Sequence, residues 1–139
     1  MTDTVLKLEN QLCFPLYASS KEVVKKYKPF LDPLGLTYTQ YIAMMVLWEE
    51  KSINVKSLGK HLYLDSGTLT PLLKKMELQG WVMRNRDSKD ERNVIVTLTE
   101  KGEKLKQAAA HIPLEMSKCI SLTPEEAKQL YGLLYKVLG

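Results

Sequence analysis

Two thiols, Cys13 and Cys119, are the groups in this 139-residue chain best able to make and break bonds. They are too few and too far apart for a disulfide scaffold, and their spacing does not match a zinc knuckle. Each therefore serves either packing or redox chemistry. For Cys13, packing means a small buried apolar residue in a leucine-rich helix, the commoner fate of a lone cysteine. For Cys119 it means contact with Met116 and Ile120. Neither His61 nor His111 is visibly placed as a base, which weakens the reading of Cys13 as the nucleophile of a thiol peroxidase. No cofactor and no metal is expected.

The second resource is charge. The chain holds 20 Lys+Arg against 16 Asp+Glu, a formal net charge of +4. The surplus is local: between Asn54 and Arg86 the cations are Lys56, Lys60, Lys74, Lys75, Arg84 and Arg86, against only Asp65 and Glu77. A basic stretch of this kind favours a polyanionic partner. The hydrophobic share of 45% and charged share of 26% exclude a disordered or collagen-like chain. The longest apolar run, Tyr41 to Trp48, falls far short of the roughly 20 residues that span a bilayer, so no membrane association is expected. The first residues carry no basic region leading into an apolar one, and a cytoplasmic location is expected.

The elements that must position these groups can be read from periodicity and caps. Leu8, Leu12, Leu16, Val23, Val24, Tyr27 and Phe30 predict one long helix over about Thr4 to Leu31, bent where Pro15 interrupts it. Thr37 and Gln40 have capping-box spacing and open a mostly apolar helix through about Glu50. Asn54 caps a short helix with a Val55, Leu58, Leu62 stripe, and the turn Tyr63 to Gly67 leads into another. There Leu69, Leu72, Leu73 and Met76 recur at helical spacing until Gly80. Two alternating runs, Trp81 to Arg86 and Asn93 to Leu98, predict a hairpin with a charged tip. Thr99 caps a helix through Leu105, Ala108, Ala109 and Ile112, which Pro113 kinks or ends. Thr123, Pro124 and Glu126 announce a last helix with the stripe Ala127, Leu130, Leu134, Val137.

The order predicts a mainly α fold: a winged helix-turn-helix over 36–99, flanked by long terminal helices over 1–35 and 100–139, within a single domain over 1–139. In such a unit the second helix enters the DNA major groove N-terminus first. That assigns Ser66, Gly67, Thr68, Thr70 and Pro71 to the base edges and Lys74 and Lys75 to phosphates. Arg86, Lys89 and Arg92 on the wing would reach backbone or an adjacent minor groove. The plain alternative is that these are solvated cations, and Asp90 and Arg92 could simply pair with each other. A single winged helix covers few base pairs, so a homodimer on double-stranded operator DNA is expected, joined through the terminal helices; otherwise those helices cap their own subunit.

Three segments also carry a family resemblance: Asn10 to Phe14, Leu64 to Glu77, and Asp90-Glu91-Arg92. They resemble the MarR-type winged-helix regulators, and more narrowly the organic hydroperoxide resistance regulators called OhrR. The resemblance implies a redox-sensing thiol at Cys13 and an organic hydroperoxide as inducer. It implies thiol-activating tyrosines at Tyr27 and Tyr38, with Tyr17 as a further pocket tyrosine. The spacings of four and ten from Cys13 to Tyr17 to Tyr27 are compatible with a shared or neighbouring helix face. Hydrogen bonds donated to sulfur would favour the thiolate, which attacks peroxide to give a sulfenic acid. Pro15 departs from the aliphatic or small residue expected in that family. In part of the family a second cysteine near the last helix, contributed by the other subunit, resolves the sulfenic acid, a place comparable to Cys119. The rival within the same fold is a regulator responding to a small aromatic ligand, with Cys13 inert.

Overall fold

The computed structural model describes residues 2–139 and is built from eight α-helices and three strands. The order is α1 (Thr2–Val5), α2 (Cys13–Leu31), α3 (Tyr38–Glu50), β1 (Ser52–Asn54), α4 (Val55–Leu62), α5 (Ser66–Leu78), β2 (Val82–Arg86), β3 (Val94–Leu98), α6 (Glu100–Ala109), α7 (Ile112–Cys119) and α8 (Pro124–Leu138). Side-chain caps set most of the helix starts. Thr37 Oγ1 accepts from the Gln40 amide while the Gln40 side chain accepts from the Thr37 amide, a reciprocal box that opens α3. Asn54, Asp65 and Thr99 cap α4, α5 and α6 by each accepting one first-turn amide, and Thr123 with Glu126 forms a second reciprocal box at α8.

One core holds the middle of the chain together. Leu47, Leu58, Leu69, Leu73, Met76, Val82, Val96 and Ile112 are essentially without solvent contact, and each such side chain contributes about 1.5–3 kcal/mol by its burial. The sheet has strand order β1-β3-β2, antiparallel throughout, with Ser52 opposite Thr97 and Val82 opposite Leu98. Two close approaches require glycine. A Cβ on Gly59 would lie 2.7 Å from the Leu64 carbonyl oxygen, where the turn folds back on α4, and one on Gly102 would overlap the Trp81 carbonyl oxygen. Among the described residues no helix is long and apolar enough to cross a membrane.

The structure departs from the sequence reading in three places. The first helix is not continuous: a 3-10 turn over Leu8–Asn10 and a break before Cys13 precede α2, so Pro15 sits third in its helix. In a first turn the missing N–H has no helical partner to lose, so proline is accommodated there without a bend. The wing hairpin gains a third strand, because Ser52–Asn54 pairs with β3. Finally, the helix after Thr99 ends at Ala109, and Ile112 opens the separate helix α7 with Pro113 in its first turn.

Candidate DNA interface and thiol site

The recognition segment is a surface by construction. On α5, Leu69, Leu72, Leu73 and Met76 turn inward, leaving Ser66, Gly67, Thr68, Thr70, Pro71, Lys74 and Lys75 exposed on the opposite face. Asp65 Oδ1 accepts the Thr68 amide at 2.8 Å, fixing where the helix begins. That bond, with further ones from the Thr68 hydroxyl and the Gly67 amide, holds its carboxyl below the usual carboxylate range. The cap residue therefore stays an acceptor at neutral pH. Pro71 lacks the N–H that would bond the Gly67 carbonyl, leaving that oxygen without its helical donor.

The wing is braced from both ends. At its root Arg84 pairs with Glu77 of α5 at 3.1 Å, and the Arg84 amide also donates to Glu77. These hydrogen bonds hold the Glu77 carboxyl below its ordinary range. At the tip Arg86 donates to the Glu91 carbonyl, and the Lys89 amide to Asp87. Arg92 donates twice to Asp90, as the pairing alternative anticipated, yet its side chain remains 89% exposed. The pair aims the guanidinium without hiding it. Arg92, and Lys56 at longer range, hold the Asp90 carboxyl low. Lys56 at the start of α4, which the sequence reading counted only as part of the basic stretch, and exposed Tyr63, held in a left-handed conformation between α4 and α5, border the same depression as Ser66. A positive φ on a non-glycine residue is visible only in coordinates.

Cys13 is the first residue of α2 and is exposed, with exposed Leu12, Phe14 and Leu16 around it. Among the described residues its sulfur makes no hydrogen bond. Tyr17, one turn on, is also exposed, with the Lys21 ammonium 5.1 Å from its ring centroid. Tyr27 and Tyr38 are elsewhere. Fourteen residues of helix separate Cys13 from Tyr27, about 21 Å along the axis. Tyr27 lies instead against α3, its ring centroid 4.8 Å from Tyr38 and 5.7 Å from Tyr41. Burial and then the neighbouring phenols push the Tyr27 hydroxyl's pKa up, and burial does the same for Tyr38, so both remain protonated donors at neutral pH. Cys119 closes α7, half-buried, its thiol donating to the Glu115 carbonyl at 3.5 Å. Both cysteines are free, and among the described residues no cluster of His, Cys, Asp and Glu could hold a metal.

A capped helix-turn-helix whose exposed face is polar and basic, followed by a braced cationic wing, defines a winged-helix DNA-binding protein. Residues 25–109 match the family model described as transcriptional regulator SarA/Rot. The chain is 53% identical to the organic hydroperoxide resistance transcriptional regulator of Bacillus subtilis, over 96% of this chain and 90% of that protein. AbfR of Staphylococcus epidermidis has a similar structure. Its reduced, DNA-bound form superposes with a TM-score of 0.81 at 38% identity, covering 99% of this chain and 96% of that one. Its disulfide form superposes less closely, with a TM-score of 0.68 at 37% identity, covering 100% of this chain and 98% of the other. The chain belongs to the MarR-type winged-helix transcriptional regulators, in the group that includes the organic hydroperoxide resistance regulators.

Proposed function

We propose that this chain acts as a homodimeric repressor whose hold on operator DNA falls when an organic hydroperoxide oxidises Cys13. The observation that carries the reading is the separation of the thiol from its tyrosines. Tyr27 and Tyr38 form a protonated donor pair about one long helix away from the Cys13 of their own chain. A second copy, crossing this one through the terminal helices, would bring its own Cys13 to that pair. The exposed apolar residues of α2 and α8, among them Phe14, Leu16, Leu130 and Leu134, supply the surface for such a crossing.

The chemistry is stoichiometric. The Cys13 thiolate attacks the distal peroxide oxygen and the O–O bond breaks. The leaving alkoxide takes a proton to become an alcohol, and sulfur becomes a sulfenic acid. Apolar neighbours around Cys13 suit a peroxide with an organic tail. Cys119 then attacks the sulfenic sulfur, releasing water and forming a disulfide between the subunits, which requires Cα atoms within about 7 Å. On the DNA side, Ser66, Gly67, Thr68, Thr70 and Pro71 face base edges, Lys74 and Lys75 reach phosphates, and Arg86, Lys89 and Arg92 follow the wing to the backbone or minor groove.

The test is operator binding with and without cumene hydroperoxide, for the native chain, Cys13→Ser, Tyr27→Phe and Cys119→Ser. Cys13→Ser should bind operator and ignore peroxide. Tyr27→Phe keeps the ring and deletes the donor, so reduced-state binding survives while alkylation of Cys13 needs a higher pH. Cys119→Ser should form the sulfenic acid without the crosslinked dimer. Release of Cys13→Ser by peroxide as fully as the native protein would remove the thiol from the mechanism and favour a ligand-responsive regulator.

A further inference from the structure

The two tyrosines assigned to the thiol do not stand alone. Tyr38, Tyr41, Met45 and Trp48 are spaced three, four and three residues apart, which puts them on one face of α3. Tyr41 is buried, and its ring touches both members of the pair, with centroids 5.7 Å from Tyr27 and 6.3 Å from Tyr38. Trp48 meets Tyr41 edge-on at 6.5 Å. At the far end of the stripe the Trp48 indole N–H donates to the Gly102 carbonyl at 2.9 Å, a buried bond between residues 54 apart in sequence.

Gly102 lies in the first turn of α6, and that turn is a junction. The Gly102 amide donates to Thr99 Oγ1, whose own hydroxyl donates to the Gly80 carbonyl just past the recognition helix. Lys101 Nζ donates to the Gln79 carbonyl at the recognition helix C-cap, at 2.7 Å. With no space for a Cβ, Gly102 is wedged against Trp81 and Leu98, where the two wing strands begin and end. Recognition helix, wing root and Trp48 therefore meet at one helical turn. Tyr41 and Trp48 also border an open pocket of about 380 Å³ that reaches Lys106 and Pro113.

We propose that Tyr41 and Trp48 are positioning residues for the redox response: Tyr41 sets the Tyr27–Tyr38 pair, and Trp48, through its bond to the Gly102 carbonyl, ties that setting to the wing root and recognition helix. This rests on the peroxide-sensing reading above. When Cys13 at the pair is oxidised, the thiolate acceptor is lost and a bulkier group replaces it. The rings that donated to it must move, and the stripe on α3 carries the displacement to the α6 junction.

The experiment uses the full-length native protein, Trp48→Phe, Tyr41→Phe and Tyr41→Leu. It measures three quantities: operator affinity when reduced, the rate of Cys13 oxidation by cumene hydroperoxide, and operator affinity once Cys13 is fully oxidised. Trp48→Phe keeps an aromatic ring and deletes only the donor. Its reduced affinity and oxidation rate should match native, while the ratio of the two affinities shrinks by about fivefold or more, the lower end of ordinary coupling between sites. Tyr41→Leu should slow oxidation and shrink the ratio together, and Tyr41→Phe should restore both. In the native protein labelled with nitrogen-15, the Trp48 indole N–H resonance should shift on oxidation, a readout that depends on no variant folding. A native affinity ratio in Trp48→Phe, or an indole resonance unmoved by oxidation, overturns the proposal while leaving peroxide sensing intact. If the oxidised native protein keeps its operator, the sensing reading fails, and the coupling with it.

Discussion

The middle of the chain and its two arms obey different rules. Between Leu31 and Met116 every large apolar side chain of the core finds partners within the same chain, and the exposed exceptions before Ile112 are Met45, Tyr63, Leu78 and Met83. Outside that span the pattern reverses: Val5, Leu6, Leu8, Leu12, Phe14 and Leu16 on one arm, and Leu130, Tyr131, Leu133, Leu134 and Tyr135 on the other, are exposed. No residue of α8 is buried, although its capping box and apolar stripe make it a well-formed amphipathic helix. The middle buries its own apolar faces, and the arms leave theirs open, as the dimer proposed above requires. Cys13 lies on the exposed end of α2, whereas Tyr27 at the other end of that helix packs against Tyr38 of the middle, so the redox site proposed above would span the boundary between the two kinds of structure.

The largest test of this contrast is to spoil an arm alone. Leu130→Glu combined with Leu134→Glu should give a monomer in sedimentation and lower operator affinity by about 10²–10⁴, the loss expected when two linked half-site contacts become one. The spectroscopic signature of the winged unit should survive. Next comes the converse, damage confined to the middle. Gly102→Ala forces a Cβ against the Trp81 carbonyl oxygen and should cost about 1–3 kcal/mol of stability. Its loss of Tm should be the same at any protein concentration, whereas the arm variant's should depend on it. If both behave alike, the division is wrong.

Within the middle, smaller effects separate the DNA-facing residues. The logarithm of operator affinity should fall against the logarithm of salt concentration by about 0.9 for each phosphate neutralised, and Lys74→Ala should reduce that slope by about one. Thr70→Ala should instead relax preference at a particular base by about 1–3 kcal/mol, and equal losses on specific and random DNA would reassign it to positioning. The smallest effect is expected for Asp90→Asn, which frees Arg92 and weakens binding a few-fold at most. Because Arg92 holds the Asp90 carboxyl below its ordinary range, this brace is complete above the usual carboxylate pKa and is lost only as pH falls through the depressed value. Its share of operator binding should therefore be flat across neutral pH, and a change in wing contribution between pH 6 and pH 8, values that bracket neutrality, would point to another group.

What the sequence determined by itself is what acts within one or two helical turns. The caps at Thr37, Asn54, Asp65, Thr99 and Thr123 bond amides two or three residues away, and the inward stripe Leu69, Leu72, Leu73, Met76 is a property of helical period alone. These signals were legible, and with them the helix-turn-helix, the wing and the exposed polar face of α5. The tertiary structure decided what depends on distant partners. Three residues at Ser52 become a strand only because β3 offers its edge, and Tyr41 and Trp48, read as members of an apolar run, acquire their places from Tyr27 and from a carbonyl in α6. It also set apart residues that spacing had left on a shared or neighbouring face. Cys13 and Tyr27 are on one helix, but the rise of about 1.5 Å per residue carries them out of each other's reach, a separation that a second copy of the chain can close and local sequence cannot.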